Sequence, residues 1–168
     1  MSARGAAAAF DRARFLAATG EPSEALAVVE DVLSEDPRHL GAVLLKSSLL
    51  IELRRDEEAL ALCEAAAGSW PGSAEALNAL ARTLHLLGRN EEAVEAGMRA
   101  KAVLRDGDNF RETGPVYLTL VLALREQGRL DEALRLAEEG LRLVSDAVLA
   151  HWASVVEEEW SGSRKDRC

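Results

Sequence analysis

Apolar residues recur along most of this chain at the three- and four-residue spacing of an amphipathic helix. One such face is made by Leu77, Leu80, Ala81 and Leu84. Strand-like alternation and runs of β-branched residues are nearly absent from the sequence. The pattern therefore predicts a protein built from α-helices.

Four segments of the chain share one pattern, in which a turn residue and a few polar residues precede Glu-Ala and an apolar helical face. The segments begin at Gly20, Arg54, Gly88 and Gly128, so successive starts are 34, 34 and 40 residues apart. Glycine favours the end of a helix because it adopts the left-handed conformation at little cost. The acidic residues that follow favour the start of a helix, where the helix dipole attracts negative charge. Each unit is thus predicted to be a helix–turn–helix.

This repeat resembles the tetratricopeptide repeat, whose period is 34 residues. The family pattern is W-x2-L-G-x2-Y, followed by A-x3-F, a further alanine and a proline. In the fourth unit the matching positions are Tyr117, Leu120, Val121, Leu124, Ala133, Ala137 and Gly140. The resemblance implies an all-α fold, a right-handed superhelical solenoid of about four helix–turn–helix repeats with a C-terminal capping helix.

Repeat boundaries follow from this register. We expect an N-terminal tail at 1–5, repeats at 6–39, 40–73, 74–107 and 114–147 with an insertion at 108–113, a capping helix at 148–160 and a disordered tail at 161–168. Pro37 and Pro71 are expected to stop the second helices of the first two repeats, because proline cannot continue the helical hydrogen bonds.

Charge and hydropathy argue against several classes of function. The chain has 20 Lys and Arg against 29 Asp and Glu, a net charge of −9. An acidic protein repels phosphate groups, so neither nucleic acid nor an anionic membrane surface is an expected partner. No apolar run approaches the ~20 residues that span a bilayer. Asp11 and Arg12 interrupt the N-terminal alanine run before a signal peptide develops, so a cytoplasmic location is expected.

Catalytic and metal-binding groups are not grouped in the sequence. His39, His85 and His151 fall in different units, and general-base chemistry needs a partnered histidine in a pocket. His39 is expected to be solvated in a turn between repeats. Cys63 lies on an apolar helical face, which favours core packing, and no Cys/His cluster has zinc-ligand spacing. We therefore expect no enzyme activity, no cofactor and no metal.

The family resemblance also implies a binding surface. In tetratricopeptide repeats the first helices line a concave groove, and positions 2, 5, 9 and 12 of each repeat contact the partner. On this sequence those positions give Phe10, Arg14, Leu44, Ser48, Ile51, Asn78, Arg82, His85, Leu118, Leu122 and Arg125. The expected partner-binding residues are Arg14, Asn78, Arg82, His85, Leu118, Leu122 and Arg125. Arginine can hold a carboxylate through two parallel hydrogen bonds. Two alternatives stay open: the arginines could be ordinary solvated surface, and the apolar positions could be core residues under a small error of register, namely Phe10, Leu44, Ile51, Leu118 and Leu122.

The expected function is that of a protein–protein interaction scaffold that binds a peptide or helix of a protein partner in the groove. Two alternatives remain open at this point. One is a self-associating or regulatory module of a larger assembly, which would make the protein a homo-oligomer through its terminal helices or the segment around Phe110. The other is an accessory relative of an enzyme that uses such repeats for docking.

Overall fold

The computed structural model describes residues 3–104 and 110–165. Within these two ranges the chain forms nine α-helices and no strand. The helices are α1 Ala3–Ala18, α2 Pro22–Glu35, α3 Leu40–Glu52, α4 Asp56–Ser69, α5 Ala74–Leu86, α6 Asn90–Val103, α7 Phe110–Glu126, α8 Leu130–Leu143 and α9 Ala147–Lys165. They fall into two compact units, Met1–Trp70 with α1 to α4 and Pro71–Cys168 with α5 to α9.

Consecutive helices pair within each unit. In the first unit α1 packs on α2 and α3 on α4, while α2 also contacts α3. In the second unit α5 packs on α6 and α7 on α8, and the first helices α5 and α7 also contact each other directly. Helix α9 packs on both α7 and α8. This arrangement confirms the predicted helix–turn–helix repeat and places α9 as a cap on the last pair.

A small residue is buried at the same position in every repeat. The fourth residue of each second helix is a fully buried alanine in all four repeats, namely Ala25, Ala59, Ala93 and Ala133. The absence of a longer side chain there lets two helix backbones come together. Cys63 is also fully buried, as its apolar position predicts. The register read from the sequence is therefore the register of the structure.

The turns inside the repeats share one backbone conformation. Each first helix is followed by a residue with positive φ, namely Gly20 at 83°, Arg54 at 61°, Gly88 at 75° and Gly128 at 71°. The next N–H then donates to the carbonyl five residues back, as Arg55 does to Leu50 at 2.8 Å. This hydrogen bond closes the helix end and reverses the chain. Arg54 adopts a conformation that costs a residue with a Cβ atom but not glycine.

We expect Arg54→Gly to stabilise the protein by about 0.5–1 kcal/mol, because it removes the strain of the left-handed conformation. Gly88→Ala makes the opposite change at the equivalent turn and should destabilise by about 1 kcal/mol. Urea unfolding followed by circular dichroism measures both. An unchanged midpoint for Arg54→Gly would show that the turn relaxes without strain.

The insertion predicted at 108–113 requires a correction. Helix α7 begins at Phe110, so residues 110–113 are helical, while 108–109 lie outside the described residues. Pro115 is accommodated in the second turn of the helix, where Thr119 Oγ1 donates to its carbonyl at 3.0 Å. Polar residues without apolar spacing can join a helix because extending an existing helix costs far less than starting one.

Both predicted tails also need correction for the same reason. Helix α1 begins at Ala3, inside the tail expected at 1–5. Helix α9 runs to Lys165, so 161–165 are helical rather than disordered, and the capping helix is longer than the predicted 148–160. Residues 1–2 and 166–168 lie outside the described residues.

Candidate interaction surface

Six of the seven predicted contact residues lie on the first helices of the second unit. Helix α5 carries Asn78, Arg82 and His85, and α7 carries Leu118, Leu122 and Arg125. The members of each set are three or four residues apart, so each set forms a stripe along one side of its helix. Because α5 and α7 pack directly on each other, the two stripes lie on adjacent helices. We call these six residues the α5–α7 surface.

The α5–α7 surface borders the core without belonging to it. Arg82 is exposed, and the other five residues are half-buried. Neighbouring positions on the same helices, such as Leu77 and Leu120, are almost completely buried. Leu118 packs against the core cluster of α7, α8 and α9 while part of its side chain stays accessible. Arg14, the seventh predicted residue, is exposed on α1 in the first unit.

His85 is fixed to the turn that follows α5. Its Nδ1 lies 2.8 Å from Oδ1 of Asn90, the first residue of α6. Since an amide oxygen only accepts hydrogen bonds, Nδ1 is the protonated nitrogen in this arrangement. The ring therefore links the two helices of the third repeat.

The side-chain oxygen of Asn78, unlike the ring of His85, makes no hydrogen bond among the described residues. This Oδ1 atom is enclosed by protein. A buried acceptor without a partner costs about 1–3 kcal/mol. The amide is thus a polar group that a donor could stabilise.

Arg125 is engaged by the capping helix. Its Nε lies 2.9 Å from Glu159 Oε2 and its Nη2 lies 2.5 Å from Glu159 Oε1, while Nη1 donates to Glu126 at 2.9 Å. The guanidinium also lies 5.3 Å from the centre of the Trp152 ring. The hydrogen bonds to Glu159 raise the pKa of Arg125 above its ordinary value. Glu159 and Trp152 thus complete this end of the surface, and the repeat pattern alone did not reveal them.

A second polar cluster joins α6, α7 and α8. Glu139 accepts a hydrogen bond from Lys101 Nζ at 2.7 Å and one from the Tyr117 hydroxyl at 2.7 Å. The Lys101 ammonium also lies 5.4 Å from the centre of the Tyr117 ring. Burial raises the pKa of Tyr117, and the hydrogen bond to Glu139 raises it further. Burial alone would raise the pKa of Glu139, but the two hydrogen bonds bring it below its ordinary value.

We expect the stabilisation from Glu139 to disappear on acidification. Because its pKa is lower in the folded chain, the contribution is fully present above the ordinary pKa of 4.5 and is lost as the pH falls through the lowered value. The difference in unfolding free energy between the wild type and Glu139→Gln should therefore be largest near neutral pH. It should shrink below pH 4.5.

Glu138→Gln is the control for this pH series, because Glu138 pairs with Arg142 at the longer distance of 3.7 Å on the exposed side of α8. Urea unfolding at a series of pH values should show a much smaller effect for Glu138→Gln. Equal pH profiles for the two variants would contradict a special role for the Glu139 cluster.

The histidines do not form a reactive group. His39 is half-buried and accepts a hydrogen bond from the Ala42 N–H at 3.1 Å as the N-cap of α3. Its ring lies 4.7 Å from the Phe10 ring, tilted by 50°. The expectation that His39 is solvated is therefore wrong: the turn uses its ring to cap the next helix. His151 is exposed beside Trp152. Within residues 3–104 and 110–165, no group of three or more His, Cys, Asp or Glu could hold a metal ion.

None of the described helices combines the length and the hydropathy that crossing a bilayer requires.

The paired helices and their buried small residues define an all-α helical-repeat solenoid. One tetratricopeptide repeat family model matches residues 10–74 and 57–108, and a second matches 116–144. Since the matches cover well over half of the 168 residues, the chain belongs to the tetratricopeptide repeat family. Proteins of this family are generally non-enzymatic scaffolds for protein–protein interaction. No curated protein sequence matches the chain.

Solved structures show the same fold at low sequence identity. A thermophilic tetratricopeptide repeat protein from Thermus thermophilus is 17% identical with a TM-score of 0.80, over 92% of this chain and 82% of that one. PilF from Pseudomonas aeruginosa is 20% identical with a TM-score of 0.78, over 96% and 73%. MamA from Desulfovibrio magneticus is 21% identical with a TM-score of 0.64, over 80% and 73%. At these identities the likeness concerns the fold alone.

Proposed function

We propose that this chain is a non-catalytic adaptor that binds a peptide or helix of a protein partner on the α5–α7 surface. The observation that carries the proposal is the combination of an exposed Arg82 on α5 with the half-buried Leu118 and Leu122 on the adjacent helix α7. Arginine is enriched at protein interfaces, and accessible apolar surface beside it can be buried by a partner. We also propose a cytoplasmic location. Arg14, which is exposed on α1 in the first unit, is proposed as a further contact residue for a protein partner.

Charge favours an acidic segment as the ligand. The protein carries a net charge of −9, so a second acidic chain is repelled unless it meets local positive charge. Arg82 supplies positive charge on the α5–α7 surface, whereas the charge of Arg125 is offset by its ion pair with Glu159. Leu118 and Leu122, on the adjacent helix, are half-buried and offer apolar surface beside Arg82. A peptide with acidic and apolar side chains matches all of these groups.

The test is peptide selection followed by charge reversal. A displayed library of random peptides is selected on the wild-type protein, and the peptides recovered are titrated against Arg82→Glu, Leu122→Asp and Arg99→Glu. Arg99→Glu is the matched control, because Arg99 is exposed on α6, the second helix of the same repeat. We expect Arg82→Glu and Leu122→Asp to weaken binding at least about tenfold, which corresponds to about 1.4 kcal/mol.

Two further results bear on this proposal. Binding of acidic peptides should weaken as salt rises, because exposed charges are screened over ~10 Å at 0.1 M. If Arg99→Glu weakens binding as strongly as Arg82→Glu, the partner does not bind on the α5–α7 surface. Arg125→Glu is unsuitable for this test, because it would place a second carboxylate against Glu159.

A further inference from the structure

We propose that Glu159 is an internal occupant of a carboxylate site formed by Arg125 and Trp152, and that an acidic side chain of the partner takes its place. This inference rests on the proposed function, since it names the ligand chemistry at one end of the α5–α7 surface. In this proposal the capping helix α9 competes with the partner for the guanidinium of Arg125.

The contact has the geometry of carboxylate recognition. Glu159 accepts from Nε and Nη2 of Arg125, at 2.9 and 2.5 Å, so both carboxylate oxygens are used. Such paired hydrogen bonds are specific for a planar carboxylate or phosphate. The Trp152 ring lies 5.3 Å from the guanidinium carbon and holds the cation from another side. The site is therefore already assembled, and its present occupant shows which group it accepts.

Helix α9 can release Glu159 without leaving the protein. Leu149 and Val156 are completely buried and fix the first half of α9 in the core. Beyond Val156 the helix carries exposed positions, including Glu157 and Gly162. The Glu159 side chain can therefore rotate away, or the end of the helix can fray, while the core contacts of α9 remain.

The strength of the ion pair permits exchange. The side chains of Arg125 and Glu159 are 27% and 37% exposed, so water screens their attraction. A partner carboxylate can make the same two hydrogen bonds and bring additional contacts with Leu118 and Leu122. The occupied site lowers the apparent affinity by the fraction of time that Arg125 is unavailable. Removing the Glu159 carboxylate should then raise affinity about two- to fivefold.

The test compares Glu159→Gln with Glu157→Gln in the full chain. Both variants lose one negative charge from the same helix. Glu157 lies two residues earlier, which places it about 200° around the helix from Glu159. The probe is N-acetyl tetraglutamate amide, titrated into isotope-labelled protein while the Nε–H signals of Arg125 and Arg82 are followed by NMR.

The proposal expects the Arg125 signal to saturate at a two- to fivefold lower peptide concentration in Glu159→Gln than in Glu157→Gln. Equal saturation in the two variants, with binding still seen at Arg82, overturns the competition by Glu159 and leaves the proposed function standing. No shift at either arginine in any variant overturns both the competition and the acidic-peptide function.

Discussion

Leu149→Ala should lower the free energy of unfolding of the second unit by about 2–5 kcal/mol, because it removes a completely buried side chain from the core. Leu149 is fully buried and belongs to the cluster that contains Tyr117, Val121 and Leu124. It lies in the first turn of α9 and joins the capping helix to α7 and α8. Loss of its side chain removes apolar burial and leaves a cavity at this junction.

The matched control for Leu149→Ala is Leu143→Ala. Leu143 is the last residue of α8 and is 47% exposed, so the same substitution there removes little buried surface. We expect a change within about 0.5 kcal/mol for this control. Thermal and urea unfolding of both variants measure the difference. Similar losses for the two variants would show that α9 does not depend on its buried face for docking.

Gly140→Ala should destabilise the protein by about 1–3 kcal/mol through overpacking, although alanine is the better helix former. A Cβ atom at Gly140 would lie 2.8 Å from Cγ and 2.9 Å from Cβ of Tyr117, and 2.8 Å from Cδ2 of Leu149. The two Tyr117 atoms are close to its backbone and cannot move without shifting α7. The methyl group therefore pushes α8 away from both α7 and α9.

Gly68→Ala separates this packing effect from helix propensity. Gly68 lies in α4, and a Cβ atom there would meet nothing within 4 Å. We expect Gly68→Ala to be neutral or to stabilise by up to about 1 kcal/mol. The unfolding midpoints of the two variants should therefore move in opposite directions. A stabilised Gly140→Ala would mean that α7 and α8 can separate at little cost.

The positions that make up the proposed α5–α7 surface could be predicted from the repeat. Asn78, Arg82 and His85 share a stripe because residues three and four apart are neighbours on any helix, and the family register selects the stripe. The partial burial of Leu118 could not be predicted, since the pattern left it open whether this leucine was core or surface. The role of His39 as the N-cap of α3 was also missed. Its hydrogen bond from the Ala42 N–H is local, but its contact with the Phe10 ring of α1 is a tertiary one.

The sequence by itself determined the central parts of the paired helices and the turns between them, but not where α1, α7 and α9 begin or end. Gly20, Gly88 and Gly128 end helices, and Ala93 and Ala133 are buried, because helix geometry and helix ends depend on residues close in the chain. The 34-residue spacing also predicts that successive helices pack in pairs, since each pair can bury its apolar face only against its neighbours.

Only the tertiary structure decided which charged groups meet. Glu157, Glu158 and Glu159 form a continuous acidic run, and no local rule distinguishes them. Their directions around α9 differ, and the packing of α9 on α7 brings Glu159 alone of the three into an ion pair with Arg125 among the described residues. The cluster of Lys101, Tyr117 and Glu139 depends in the same way on three helices. Contacts between residues far apart in the chain are set by how side chains fill the space between helices, and periodicity carries no information about that fit.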